Sequence, residues 1–505
     1  MKKIIPFIIV LITLLSCDKD QVSIVDRIPS DALVVGKLNS QQFFKENALE
    51  LLSTLEWSKL GEEYEVAQIG LDPLSNAYFY VSGSGVQDLQ LNVLVELSNE
   101  NKLKKWLTNN AYTVQEGELN FSFLGPKTSV AFDQDVAMWS YSLALPVVKE
   151  VCVRAFNLNS QGSEKPVSLE QVLASSAHLS LWIDSKKTVA VYKGAQQLLP
   201  LMGIQVPEVP YEASALYTVL EVNFTSGEIK LESTQYLSES QFMSQQTMWS
   251  NDLPTLLPNS VFTGTMAFLD LRLNPELVIK KLSENAQVRQ IIQTQLRGYL
   301  SLSAIDTILD GRVAMGYNGM EFKTVAVVQP QLNKKTGEYE AIATPTNTTI
   351  HKGFIALGLK SKNFLERRFA FALANAKQEE NWFRVSNDLE FFLDSNIFIV
   401  ASDSAVIKQL KESVVRGNAI QGTASKPFNF KINIKDLLAD AAKNPGPLQL
   451  AFQLLSNTFS NVYLVDSSSE KGLVKHAFKI EFQSKENSLL QLKTVVGKLK
   501  NSFQL

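Results

Sequence analysis

Cys17 is the residue whose type and position most clearly indicate a chemical role, because its thiol follows a short apolar segment. Lys2 and Lys3 open the chain, residues 4–15 are mostly apolar, and Ser16 precedes the cysteine. A basic start, an apolar run and a small residue at the cleavage point are typical of a secretory signal peptide. We therefore expect residues 1–16 to be removed, which makes Cys17 the first residue of the mature chain.

Residues 14–17, Leu-Leu-Ser-Cys, resemble the lipobox of bacterial lipoproteins. In that family a small residue precedes a cysteine that is acylated and becomes the new N-terminus. The resemblance implies that Cys17 is the lipidation site, and several acyl chains on one residue are sufficient for stable anchoring. The alternative is an ordinary secretory peptide in which the cysteine is accidental.

Residues 17–26 form the expected lipidated leader. Its segment Asp-Lys-Asp-Gln at 18–21 resembles signals that direct lipoproteins of Bacteroidota-type envelopes to the cell surface. An acidic residue directly after the lipidated cysteine also resembles an inner-membrane retention mark of other bacteria. We expect an outer-membrane anchor, with the cell surface and the periplasmic face both open. No later apolar stretch approaches the roughly 20 uncharged residues of a membrane span, so we expect a soluble mature body.

Composition places the chain among ordinary globular proteins. Its 505 residues are 45% hydrophobic and 20% charged, which favours two or more domains. Loss of Lys2 and Lys3 with the signal peptide changes the formal charge from −3 to a more acidic value, which argues against a nucleic-acid partner. Lipidation of Cys17 would leave Cys152 as the last free cysteine, so no disulfide is expected within the chain. The apolar neighbours of Cys152 predict a small buried side chain without chemistry.

Motifs for catalysis, metals and nucleotides fail on spacing. His178, His351 and His476 stand far apart, and no pair has the spacing of a zinc site. No calcium loop is present, and Asp306, Asp310 and Gly311 indicate at most a turn. Residues 82–86 lack the ending of a phosphate loop, and the Lys-Thr-Gly at 335–337 precedes the Ser-x-x-Lys at 468–471, the reverse of penicillin-recognising enzymes. We expect no catalytic residues, no metal and no cofactor.

One strand has an arrangement that could bind a ligand. His178, Ser180, Trp182 and Asp184 alternate with apolar residues and therefore share one face. Such a face could bind a sugar or a peptide, or it could be the solvated or helix-covered side of an antiparallel sheet. The corresponding strand of the second half has different chemistry on that face: Asn429, Lys431, Asn433 and Lys435.

Two halves of the chain have the same order of features. Residues 28–31 and 257–260 each precede an apolar stretch, and an amphipathic helix follows, with Phe44, Ala48, Leu51, Leu52 and Leu55 on one face in the first half and Val278, Leu282, Ile292 and Leu296 in the second. The later correspondences are a strand with a basic helix at 91–106 and 354–369, a hairpin turn at 132–136 and 393–397, a helix at 148–149 and 407–408, a polar loop at 161–166 and 421–427, and a closing hairpin at 215–236 and 461–482. This order predicts an internal duplication with lobes at 27–250 and 251–505.

The elements that must position these residues predict an α+β fold. Strands with alternating polarity and hairpin turns such as residues 333–337 favour antiparallel sheets covered by helices on one side. The polar residues 343–349 predict a surface loop.

The lipobox, the length, the Ile-Pro-Ser-Asp-Ala sequence at 28–32 and the duplicated body resemble an uncharacterised family of Bacteroidota lipoproteins, a domain of unknown function. The resemblance implies a membrane location and this architecture, and it supplies no catalytic residues. We expect a membrane-anchored, non-catalytic binding or scaffold protein whose partners are the membrane, through its lipid, and an envelope protein, peptide or glycan. The alternatives are an envelope hydrolase that uses Asp or Glu pairs and a structural role in envelope assembly.

Overall fold

The computed structural model describes residues 24–42, 69–157, 165–198, 215–250, 253–284, 307–332, 339–367, 374–415, 428–443 and 448–503, apart from positions 73, 86, 144, 258, 263–264, 375, 380, 387–388, 403 and 471. Two compact units divide the chain: one holds residues up to Asn223 with Ser233–Tyr236, and the other holds Phe224–Glu232 with residues from Leu237 onward. The predicted signal peptide, Cys17 and the polar loop at 421–427 lie outside the described residues.

The first unit is an antiparallel sheet with helices. Its pairing order is β4-β5-β6-β3-β2-β1-β7-β8. Strand β9 follows β8 through a turn at Ser226 and Gly227, and only its residues Ser233–Tyr236 belong to this unit. The strands are β1 Val34–Leu38, β2 Ala77–Ser82, β3 Gln90–Glu96, β4 Asn120–Gly125, β5 Thr128–Phe132, β6 Val136–Ser142, β7 Leu179–Asp184, β8 Tyr217–Thr225 and β9 Glu228–Tyr236. The helices are a 3-10 turn at Ile24–Arg27, α1 Glu100–Asn109, α2 Lys149–Asn157, α3 Val167–Ala174 and α4 Ser185–Leu198.

The core of this unit lies between the sheet and the helices α2 and α3. Trp182, Tyr80 and Phe121 come from the sheet and Phe156 comes from α2, and each is at most 2% exposed. Burial of such large side chains contributes about 1.5–3 kcal/mol each. A second, smaller cluster places α1 on the opposite side of the sheet, against Val130 and other residues of β5 and β6.

The second unit is also an antiparallel sheet with helices. Its pairing order is β13-β14-β15-β16-β12-β11-β10-β17-β18-β19. The strands are β10 Ala267–Arg272, β11 Leu309–Leu332, β12 Tyr339–Leu359, β13 Lys377–Glu379, β14 Trp382–Ser386, β15 Leu389–Leu393, β16 Ile397–Ala401, β17 Phe428–Asn433, β18 Phe459–Glu470 and β19 Leu473–Phe482. The helices are α5 Glu239–Met248, α6 Asn259–Phe262, α7 Pro275–Glu284, α8 Ser404–Val415, α9 Ile434–Ala441, α10 Gln449–Ser456 and α11 Ser488–Phe503.

The pairing order of the second unit repeats that of the first. With β13 left aside, β10, β11 and β12 take the places of β1, β2 and β3. In the same way β14 to β16 replace β4 to β6, and β17 and β18 replace β7 and β8. A helix starts directly at the end of β7 and also at the end of β17. The two topologies therefore coincide strand by strand.

The predicted α+β class with antiparallel sheets is confirmed, and so are the hairpin turns at 132–136 and 393–397. The predicted surface loop at 343–349 is wrong, because these residues belong to β12 and pair in continuous register with Phe322–Val328 of β11. The segment is rich in threonine, whose branched Cβ favours strands although its polarity resembles that of a loop.

Candidate functional site

The polar face of β7 is part of the core. Ser180 and Trp182 are fully buried, and His178 and Asp184 are 2% and 7% exposed. The indole of Trp182 donates to Ser168 Oγ on α3 at 2.9 Å, and its ring stacks on Tyr217 with centroids 5.3 Å apart. Helix α3 therefore covers the face that could have bound a ligand.

Two other polar residues of the equivalent strands cap helices. Asp184 accepts from the backbone N–H of Lys187 at 2.9 Å and caps α4, and Asn433 accepts from the N–H of Asp436 at 3.1 Å and caps α9. Asn429 pairs with Asp270 of β10, and Lys431 is exposed. These residues do not converge on one site.

The histidines and Cys152 each have their own surroundings. Cys152 is fully buried in the core of the first unit, as predicted, and accepts from Ser129 Oγ at 3.4 Å. His351 lies 3.5 Å from the hydroxyl of Tyr317, and burial lowers the pKa of His476. In the part of the chain that the structure describes, no group of three or more His, Cys, Asp or Glu side chains could hold a metal ion.

The candidate site is a recess in the second unit with a volume of about 330 Å³. Three segments that are distant in sequence form it: the residues after α5, the junction between β10 and α7, and the adjoining ends of β11 and β12. Its lining combines an indole ring with carboxylate, amide, hydroxyl and ammonium groups. The lining residues are Trp249, Ser250, Leu253, Leu273, Asn274, Pro275, Glu276, Asp310 and Lys360.

Backbone hydrogen bonds hold these segments together. The N–H of Ser250 donates to Arg272 O at 3.1 Å, the N–H of Leu273 donates to Gly311 O at 2.9 Å, and the N–H of Lys360 donates to Ile308 O at 2.7 Å. Trp249 and Leu273 form an isolated antiparallel bridge. The walls are thus fixed by main-chain contacts, so the recess is largely preformed.

Gly311 is required where β11 begins beside the recess. Its φ of 96° lies in the left-handed region, and a Cβ at this position would stand 1.8 Å from Leu273 O. Glycine alone tolerates this conformation and this close approach at low cost.

Charges of both signs surround the recess. Asp310 Oδ2 accepts from Arg312 Nη2 at 2.5 Å and from Nε at 2.8 Å, and Oδ1 accepts from the backbone N–H of Arg312 at 2.9 Å. Glu276 stands in the first turn of α7, where the helix dipole favours a negative charge. Asn274 accepts from the N–H of Leu277 at 3.4 Å and caps the same helix.

A buried ion pair lies in β10, next to the lining of the recess. Asp270 and Arg272 are each 3% exposed, with 3.9 Å between Asp270 Oδ2 and Arg272 Nη2. Arg272 Nη1 donates to Leu253 O at 3.0 Å, which connects the pair to the lining of the recess. Burial raises the pKa of Asp270, and the charge of Arg272 opposes this increase.

Sequence reasoning did not identify the recess. Of its lining residues only Asp310 stood out, as part of a turn, because no motif joins residues 249, 274, 310 and 360. The Asp-Gly step at 310–311 was the available signal, since glycine after a polar residue marks an unusual backbone conformation.

No protein-family model and no curated protein matches the chain. Among solved structures, crystal form IV of TP0453 is similar, with 12% identity over 45% of this chain and 86% of that chain, and a TM-score of 0.29. Crystal form III of TP0453 has 11% identity over 46% of this chain and 89% of that chain, with a TM-score of 0.30. Similarity at this level transfers no activity to the chain.

Within the described residues, none of the helices is long and apolar enough to cross a membrane.

Proposed function

We propose that the chain is a lipid-anchored envelope protein that binds a small polar ligand, of the saccharide class, in the recess of its second unit without converting it. The observation that carries the proposal is the lining of the recess, which places one indole ring among carboxylate, amide and ammonium groups. A few polar groups in a preformed concave site, beside an aromatic ring, are typical of a small-molecule site.

The volume and the lining favour a saccharide. About 330 Å³ lies at the lower end of the range for small-ligand pockets. Sugar hydroxyls donate and accept hydrogen bonds, which suits the acceptors Asp310 and Glu276 and the donor Lys360. The apolar C–H side of a sugar ring suits the face of Trp249, which is half-buried and lies 6.1 Å from the ring of Phe428.

The proposed anchor is lipid on Cys17, supported by the residues that precede it. Described structure begins at Ile24, and the intervening residues of the leader span at most about 25 Å when extended. An anchor at Cys17 would therefore keep the first unit close to the membrane surface.

We also propose that the two units arose by internal duplication. The support is the coincidence of the two antiparallel pairing orders along with the ordered sequence correspondences between the halves. At the equivalent junction of the first unit, described only as far as residue 42, Asn39 follows β1 and its N–H donates to His178 O, so the described residues there differ in chemistry from those of the recess. Ligand binding would then be a property of the second copy.

A hydrolase with an Asp or Glu pair is the second candidate, because Asp310 and Glu276 line the same recess. It is less well supported, since both oxygens of Asp310 already accept hydrogen bonds from Arg312. An acid–base pair needs a carboxyl group that can exchange a proton with the substrate. Release of reducing ends during incubation with bound oligosaccharides would favour the hydrolase.

Binding to the recess is testable with a secreted form that starts at residue 22, titrated calorimetrically against neutral, amino and acidic oligosaccharides. We expect a binder whose affinity falls roughly tenfold or more in Trp249→Ala, since loss of an aromatic contact costs about 1.5 kcal/mol. Lys360→Met should also weaken binding, whereas Lys431→Met, at an exposed position of β17, should not. A complete absence of binders, or an affinity that Trp249→Ala leaves unchanged, would contradict the proposal.

A further inference from the structure

Arg272, the last residue of β10, contacts the lining of the recess twice. Its backbone carbonyl accepts from the N–H of Ser250 at 3.1 Å, and its guanidinium Nη1 donates to Leu253 O at 3.0 Å. Ser250 and Leu253 both line the recess and follow Trp249 in sequence. The segment that carries the indole ring is therefore attached to the sheet by the side chain of Arg272 as well as by its backbone.

The guanidinium that makes this contact lies in the interior of the second unit. Arg272 is 3% exposed, and Asp270, two residues earlier on the same face of β10, is also 3% exposed. A buried charge without a counter-ion costs far more than one hydrogen bond returns. Asp270 supplies the counter-ion, with 3.9 Å between its Oδ2 and Nη2 of Arg272. Fixing Leu253 with a charged side chain thus requires Asp270.

The ion pair itself is a weak source of stability. Its separation of 3.9 Å exceeds the length of a hydrogen bond. Within the described part of the chain, Asp270 Oδ1 is buried without a hydrogen-bond partner. Burial raises the pKa of Asp270 by more than the charge of Arg272 lowers it, so the carboxylate gains less from Arg272 than it loses by leaving water. Apolar side chains often replace such a pair without loss of stability.

The first unit uses a buried charge differently at the equivalent position. Lys37 of β1 and Asp270 of β10 each stand opposite the fourth residue before the helix cap that ends the neighbouring strand. The ammonium of Lys37 donates to Leu173 O and Ser175 O, so it connects its strand to a helix of the core. Asp270 instead neutralises Arg272, whose guanidinium contacts the recess. The ion pair therefore accompanies the recess in the second unit.

We propose that Arg272 is a positioning residue of the recess, which holds the segment of Trp249 where a sugar ring can contact both the indole and the polar groups of the lining. The inference deepens the saccharide site proposed above and rests on it. Without the guanidinium, the segment remains attached through the N–H of Ser250 and the bridge between Trp249 and Leu273, but Leu253 O loses this donor. We expect the recess to widen on the side of the indole, which weakens binding, while the fold of the second unit persists.

The test removes the ion pair as a unit, in the double variant Asp270→Val/Arg272→Met of the secreted form that starts at residue 22. Valine suits a strand, and methionine keeps the unbranched stem of arginine. We expect Tm to stay within about 2 °C of that of the unaltered protein or to rise. Affinity for the neutral, amino and acidic oligosaccharides that bind should fall at least about tenfold. In the ligand-free protein, the indole N–H signal of Trp249 should shift, while that of Trp182 should not.

Two single variants separate positioning from stability. Val495→Ala, in α11 at 4% exposure, should lower Tm and leave both the affinity and the Trp249 signal unchanged. Arg272→Lys keeps the charge and an N–H donor and should retain most of the affinity. An unchanged affinity or an unchanged Trp249 signal in the double variant would overturn the positioning role. Unfolding of its second unit would do the same, because the pair would then be required for stability. If the unaltered protein binds none of the oligosaccharides, the saccharide site fails, and the ligand-free Trp249 signal still decides the role of Arg272.

Discussion

The buried ammonium group of Lys37 in the first unit has partners that compensate for lost water. Lys37 of β1 is 6% exposed, and its ammonium group donates to Leu173 O at 2.8 Å and to Ser175 O at 2.7 Å. These carbonyls lie at the C-terminal end of α3, where a positive charge is favourable. Burial lowers the pKa of Lys37. The ammonium therefore links β1 to the helix that covers the core.

The surroundings of Glu96 also disfavour its charged form. Partial desolvation raises the pKa of its carboxyl group, and the charges of Asp72 and Asp135 raise it further. The native state then holds this proton more tightly than the unfolded chain does, so stability decreases as the pH rises above the unfolded value near 4.5. The destabilisation is complete once the pH exceeds the native pKa.

We predict that Glu96→Gln stabilises the protein by about 0.5 kcal/mol at pH 7, a small value because solvent screens this exposed carboxylate. Thermal unfolding should show an increase in Tm of about 1–2 °C at pH 7 and none at pH 4. Glu170→Gln, at an exposed position of α3, is the control and should show no such difference between the two pH values. An equal effect of Glu96→Gln at both pH values would contradict the electrostatic explanation.

At the scale of elements, the recess depends on the junction between β10 and β11. Leu273, the residue after β10, pairs with Trp249 on one side and donates to Gly311 O on the other. Leu273 therefore connects the side of the recess that holds Trp249 to the side that holds Asp310. Any displacement of Gly311 moves both walls.

Gly311→Ala is predicted to destabilise the second unit by about 2 kcal/mol or more, because the new Cβ meets Leu273 O and the backbone is left-handed. It should also weaken ligand binding in the recess. Gly497→Ala, in α11 with no atom within 4 Å of its added Cβ, should instead be stabilising by about 0.5–1 kcal/mol. Urea unfolding of both variants checks this pair of opposite effects, and a neutral Gly311→Ala would contradict the role of the junction.

Elements determined by local sequence could be predicted, and features determined by tertiary contacts could not. The turn at 132–136 and helix α2 follow from local patterns of polarity. The alternation of β7 correctly placed His178, Ser180, Trp182 and Asp184 on one face. That this face is buried depends on Ser168 of α3, ten or more residues away, and on the side chain of Asn223. The recess required residues separated by more than 100 positions to meet, which no local pattern indicates.

At the scale of the whole molecule, the proposed N-terminal anchor precedes two units with the same pairing order, the second of which holds a polar recess. The anchor is the part that sequence alone supports. The equal pairing orders are consistent with the predicted internal duplication, whereas the long strands β11 and β12 were not predicted. Their threonine-rich segments have the polarity of loops and the branched side chains of strands.

Cys17→Ala is predicted to release the protein from membranes into the soluble fraction, because one residue carries all of the proposed acyl chains. Cys152→Ala is the matched cysteine control and should remain anchored, since Cys152 is buried in the core. Carbonate washing and fractionation of membranes measure both variants. Retention of Cys17→Ala after washing would contradict the anchor.

The indole N–H signals of the soluble form, followed by NMR while an oligosaccharide is added, report directly on whether the recess binds. Trp249 lines the recess and Trp182 is fully buried beside Ser168, so the two rings provide a site and an internal control. We predict a saturable shift of the Trp249 signal with no change at Trp182. A ligand that saturates the protein while the Trp249 signal stays in place would contradict the proposed site.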